Sequence, residues 1–156
     1  MNTYVLLSFF VLFPPRRALD YSAMKYQNYD KEKDNYIDVK KKVMVFNQYK
    51  TFKKYGKQTF AVPKQLMRIV KQWIKVLSSM KSDYIIDTNN HSTLDITKLL
   101  LDIFKPKNVS VNLLRHSFLT HYYANQTGLP DLESMSELAD KMSHGVIMAM
   151  TYIRKK

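Results

Sequence analysis

The sequence has no cysteine, and only three glycines and five prolines in 156 residues. Without cysteine there are no disulfides, zinc–thiolate sites or cysteine nucleophiles, which suits a reducing compartment. Scarce glycine and proline beside 46% apolar residues leave no low-complexity stretch and no linker, so a disordered chain is excluded. Long hydrophobic runs are missing too. The run VLLSFFVLF, residues 5–13, falls well short of the about 20 residues a membrane helix needs. No basic residue precedes it and no small-residue cleavage site follows before PPRR, so it reads as a buried helix and not a targeting signal. Four histidines form no HExxH, and His116 and His121, five apart, point to different helix faces. No structural metal is expected.

Acidic residues are the last shortage: 13 Asp and Glu face 25 Lys and Arg, a net charge of +12 with a pI near 9.7. Such an excess suits a polyanion, with nucleic acid the leading candidate. Lysines alternate with rings in YKTFKKYGKQTF, where aromatic faces can cover sugars and bases beside phosphate contacts. The length fits one domain with its own core.

Along the chain, PPRRALDYSAMKY reads as a helix opened by prolines, with Leu19, Ala23 and Met24 at helical spacing. YIDV, the basic turn KKK and VMVFNQYK read as a hairpin, and QTFAV as a third strand after Gly56, giving a small antiparallel sheet over about residues 36–62. PKQLMRIVKQWIKVLSSM carries Leu66, Ile69, Val70, Trp73, Ile74 and Leu77 on one helical face. YIID reads as a short strand, STLDITKLLLDIF as a helix, and VNLLRHSFLTHYYANQ as a longer one stopped near Gly128 and Pro130. In SMSELADKM, Ser134 and Glu137 read as a capping box before an apolar stripe of Met135, Leu138, Ala139 and Met142. VIMAMTYIRKK reads as a last short helix, and no internal repeat occurs.

The ordered series Arg, Lys, Arg, His, Tyr, closing on MSHGVIMAMTY, resembles the catalytic domain of the tyrosine recombinases, the phage-integrase family. PPRRALDY, FNQYKTFKKYGKQ and NLLRHSFLTH are most similar to integrases of virophages and other mobile elements of giant viruses, and the likeness runs from about residue 14 to 153. It implies an α+β, mainly α, fold in which a small three-stranded antiparallel sheet packs on a helical bundle. It also implies strand cleavage and rejoining through a 3′-phosphotyrosine, with no metal or nucleotide cofactor. The implied partner is double-stranded DNA, bound by a homo-oligomer, a tetramer, away from any membrane. The implied location is intracellular, wherever the target DNA resides: host nucleus, cytoplasm or viral factory. Residues 1–156 are expected to form a single catalytic domain, without the N-terminal DNA-clamping domain these enzymes normally carry.

Breaking a DNA strand without water or metal requires a nucleophile, donors for the free phosphate oxygens, and an acid for the departing 5′ hydroxyl. The resemblance assigns the nucleophile to Tyr152, although a tyrosine near a C-terminus is more often packing. Arg115 matches the second arginine of the family's HxxR box, and a guanidinium fits phosphate bidentately. The apolar neighbours Leu113, Leu114, Phe118 and Leu119 make a merely solvated role less natural. Arg17 matches the first arginine, with Arg16 the alternative one position earlier and Asp20 the acidic support. Lys50 matches the leaving-group acid between the second and third strands, while Lys53, Lys54, Lys57 and Arg16 are assigned to backbone phosphates. His144 matches the histidine that bonds a non-bridging oxygen; a helix-end cap is its plainer reading. Asn112 stands where the family's box has histidine and cannot trade a proton near neutral pH. A decayed DNA-binding module and a type IB topoisomerase are the competing readings; an RNA-binding structural protein fits the charge but leaves the ordered series unexplained.

Overall fold

The computed structural model describes residues 2–126 and 131–143. Helix α1 (Asn2–Leu12) turns Val5, Leu6, Phe9 and Phe10 into the core and leaves Tyr4 and Val11 exposed. Pro14 and Pro15 follow it; each lacks a donor and restricts the residue before it, so the helix cannot continue. Helix α2 (Ala18–Ser22) is shorter than the sequence suggested. The backbone after it is taken by other partners: Lys25 N–H donates to Asn35 O at 2.9 Å, Ile37 N–H to Lys25 O at 2.9 Å, and Ile85 N–H to Met24 O at 2.8 Å.

Strands β1 (Tyr36–Asp38), β2 (Val43–Phe46) and β3 (Gln58–Ala61) form an antiparallel sheet in the order β1-β2-β3, as expected. Tyr36 pairs with Val45, and Val45 in turn with Thr59. The β1–β2 turn places Lys42 at φ +58, and the Asp38 carboxylate accepts from Lys41 N–H at 2.9 Å. Between β2 and β3 lies the one-turn helix α3 (Phe52–Tyr55), closed by Gly56 at φ +65, ψ −157. Only glycine adopts that backbone conformation readily, and the Tyr49 hydroxyl locks it by donating to Gly56 O at 2.6 Å.

Helix α4 (Lys64–Met80) buries Leu66, Met67, Ile69, Val70, Trp73 and Leu77 along one face. The segment read as a strand at 84–87 is not one: Tyr84 makes a single isolated bridge to Lys25. Its backbone serves the core differently, Ile85 O accepting from the Trp73 indole at 2.8 Å. Helix α5 (Thr93–Phe104) starts from a capping box formed by Ser92 and Asp95. Helix α6 (Val111–Ala124) starts from Ser110, and α7 (Leu132–Lys141) from Asp131. The cap of α7 therefore sits three residues before the one expected, and Ser134 donates to Asp131 instead of capping.

One large core joins α1, α2, the sheet, α4 and α5 through Phe9, Tyr21, Phe46, Leu66, Trp73 and Leu100. A second, small cluster of Leu119, Leu138 and Met142 joins α6 to α7.

Candidate functional site

Helix α6 buries Val111, Arg115 and Leu119, one residue per turn on a single stripe. An arginine thus occupies a core position of an otherwise apolar face. Arg115 is only 6% exposed; its Nη2 donates to Met142 O at 3.0 Å, while Nη1 is buried without a hydrogen-bond partner. Burial pushes its pKa down to about 10, and repulsion from Arg17 adds to that while Asp20 opposes it. The group stays cationic at neutral pH.

Arg17 is half-buried at the N-terminus of α2, and its Nε is likewise buried without a partner. It lines a cleft of about 400 Å³ together with Lys50, Asn112, Ser110, Thr93 and Thr97. Four elements meet there: the start of α2, the β2–β3 connection, the start of α5 and the first turn of α6. Sequence positions 17, 50 and 112 are thereby brought to one opening, with Arg115 one helical turn beyond Asn112. Lys50 and Asn112 are exposed in it.

Asp20 is fully buried, with Oδ2 accepting from Arg16 Nε at 2.6 Å and Oδ1 unpartnered. Burial pushes its carboxyl pKa up; Arg16, Arg115 and Arg17 pull it back. Tyr21 beside it is also buried, and burial raises its phenol well above the usual range.

Arg16 differs from the surface cation expected of it. It is 0% exposed, and its guanidinium lies 4.0 Å over the Phe46 ring. Nη1 donates to Asp140 O at 3.2 Å and Lys141 O at 2.9 Å, and Nη2 to Gln58 Oε1 at 3.0 Å. All its donor nitrogens are engaged inside the protein, so nothing of it faces a backbone phosphate. Arg17, not Arg16, opens onto the cleft. Lys53 and Lys54 are exposed on α3, the Lys54 ammonium lying 5.0 Å from the centre of the Tyr55 ring. Lys57 is exposed and pairs with Glu32 at 2.9 Å. His144 and Tyr152 lie outside the described residues.

Sequence reasoning missed Asn35. Its Nδ2 donates to Asp20 O at 3.1 Å and Gln48 O at 2.7 Å, and its Oδ1 accepts from Asn47 N–H at 2.8 Å and Gln48 N–H at 2.7 Å. This one buried amide ties α2 to the start of the β2–β3 connection, two residues before Lys50. Nothing in DNYID marks it, because all four partners are backbone groups. Among the described residues no cluster of three or more His, Asp or Glu could hold a metal, and no helix is long and apolar enough to cross a membrane.

The fold is similar to the crystal structure of XerA recombinase, with a TM-score of 0.68 at 15% sequence identity, over 99% of this chain and 54% of that one. The chain spans about half the length of XerA recombinase, and at this identity the likeness speaks for the fold alone. No protein-family model and no curated protein matches the sequence.

Proposed function

We propose that the chain is the catalytic domain of a site-specific DNA recombinase, an integrase that cleaves and rejoins duplex DNA through a 3′-phosphotyrosine. The observation carrying this reading is the single cleft lined by Arg17, Lys50 and Asn112, with two buried guanidinium nitrogens, on Arg17 and Arg115, left without partners. Unpaired buried donors are costly, and a phosphate's two non-bridging oxygens would satisfy them. The likeness in fold to XerA recombinase supports the same reading.

In this scheme the Tyr152 phenol oxygen attacks phosphorus while the bond to the 5′ oxygen breaks. Lys50 gives its proton to that oxygen. Arg17 and Arg115 hold the non-bridging oxygens through the pentavalent state, and His144 and Asn112 donate hydrogen bonds. Asn112 cannot take up the phenol's proton, which leaves to His144 or to solvent. The phosphotyrosine keeps the phosphodiester's energy, so attack by a 5′ hydroxyl rejoins the strand without a nucleotide cofactor. Four strands exchanged in pairs call for four protomers on DNA, working inside the cell wherever the target DNA of the mobile element lies.

The test is covalent trapping on a nicked oligonucleotide from which the short fragment bearing the freed 5′ hydroxyl is lost after cleavage. Wild-type protein should become attached to DNA, and Tyr152→Phe should not; attachment by that variant rules out the assigned nucleophile. Affinity should fall steeply with salt as released counterions become abundant. Asn112 in place of a histidine favours one second reading, a DNA-binding module that no longer cleaves. Tight, salt-sensitive binding with no attachment would establish it.

A further inference from the structure

We infer that Arg16 is a positioning residue for strand cleavage: it docks the C-terminal end of α7 against α2 and β3 and thereby sets where the chain leaves the helix at Ser143, one residue before His144. The inference rests on the recombinase reading above.

Three consecutive carbonyls at the end of α7 accept from arginines, Asp140 and Lys141 from Arg16 and Met142 from Arg115. Terminal helix carbonyls lack intrahelical partners, so the guanidinium groups complete them and favour the negative end of the dipole. The next side chain, Ser143, meets Thr51 at 3.2 Å between their hydroxyls, and Thr51 directly follows Lys50. Ser143 sits at φ +56, which turns the backbone out of the helix just before His144. Apolar burial of Met135, Leu138, Ala139 and Met142 also holds α7, but it is non-directional, so the arginine bonds set where the end of the helix lies.

Space-filling alone does not explain a buried arginine here. An apolar side chain of similar volume often stabilises as well as a buried ion pair or better. What it cannot do is bind a carboxylate, an amide oxygen and two carbonyls from three elements at once, which the planar five-donor fork achieves.

Arg16→Lys keeps a charge beside Asp20 but loses the fork. Expected are a lowered melting temperature with DNA affinity little changed, faster amide exchange at 141–143, and covalent attachment slowed by about a hundredfold, the scale of a catalytic group displaced by about 1 Å. In a His144→Ala background the same substitution should add almost nothing, since both act through one group. If lysine is not accommodated, Arg16→Met with Asp20→Asn removes both charges together and is read the same way. Wild-type attachment rates in a folded Arg16 variant, or equal slowing with and without His144, overturn the inference. Unchanged exchange at 141–143 overturns it whatever the cleavage rates are. Failure of the recombinase reading looks different: wild-type protein attaches to no DNA, yet the Arg16 variant still frees the end of α7.

Discussion

From α1 to α5 the chain shares one large hydrocarbon core, whereas α7 combines a small apolar cluster with bonds from three polar side chains at its C-terminal end. The large core runs without interruption from Phe9 through Phe46 and Trp73 to Leu100. The α6–α7 cluster has Leu119, Leu138 and Met142 at its centre with Phe118, Tyr122 and Tyr123 against it, and Arg16, Arg115 and Thr51 add polar contacts at the end of α7. Apolar burial is strong but non-directional, so it fixes that a segment is docked better than where. Hydrogen bonds from a rigid guanidinium fix direction, and they release at lower cost. The difference fits a division of labour: a sturdy platform presenting Arg17 and Lys50, and a lighter arm whose exact placement is set by polar contacts.

Substitutions in the two regions should therefore differ in kind as well as size. Trp73→Ala removes a buried ring and its bond to Ile85 O, and should cost about 3–5 kcal/mol, read as a shift of the whole denaturation curve. Asn35→Leu removes the partner of four backbone groups, two bonds buried and two part-buried, and should cost about 3 kcal/mol; in the recombinase scheme it also slows cleavage more than DNA binding, because the Lys50 segment loses its anchor. Leu138→Ala should cost about 2 kcal/mol and act locally, speeding amide exchange in α6 and α7 while α4 stays protected. If α4 and α7 instead lose protection together, the two regions are one cooperative unit and the comparison fails.

Legibility in the sequence follows the same boundary. Helix α4 could be read because its apolar residues recur at helical spacing, a purely local signal. The three strands were legible from β-branched and aromatic runs around KKK and Gly56. The stripe Met135, Leu138, Ala139 and Met142 was also read and is buried. What the sequence does not carry is the choice between adjacent arginines. Arg16 and Arg17 differ only in partners met through the fold, Gln58 and the carbonyls of Asp140 and Lys141. The cap of α7 failed for a related reason. Asp131–Ser134 and Ser134–Glu137 have the same spacing, so either pair fits a helix start, and the structure selects the first.

That choice gives a smaller test within the arm. Asp131→Ala should cost about 1 kcal/mol through the lost bond to Ser134 N–H, and Glu137→Ala close to nothing. Equal costs would mean that the helix starts at Ser134 after all.

Acid should produce the smallest effects, and their signs separate the two regions from their junction. In the platform, burial alone would raise the Asp34 carboxyl, but Lys25 at 2.8 Å and the Asp30 amide hold it below the usual range. Asp95, capping α5, and Asp131, capping α7, are held low mainly by the backbone and hydroxyl of their serine partners. A carboxyl whose folded pKa is depressed stabilises above its unfolded pKa, near 3.9, and that stability is lost as pH falls through the folded value. Asp20, at the junction, has the opposite sign: burial raises it, so the folded state takes up its proton first and gains stability as pH falls through the raised value. Denaturation midpoints measured downward from neutrality should thus hold or rise slightly before falling below about pH 4. Asp20→Asn should abolish the early rise and leave the later fall. No early rise in the wild type, with a fall below about pH 4 that Asp20→Asn makes smaller, would show that the three arginines outweigh burial at the junction and that its ion pair, not its buried cost, dominates there.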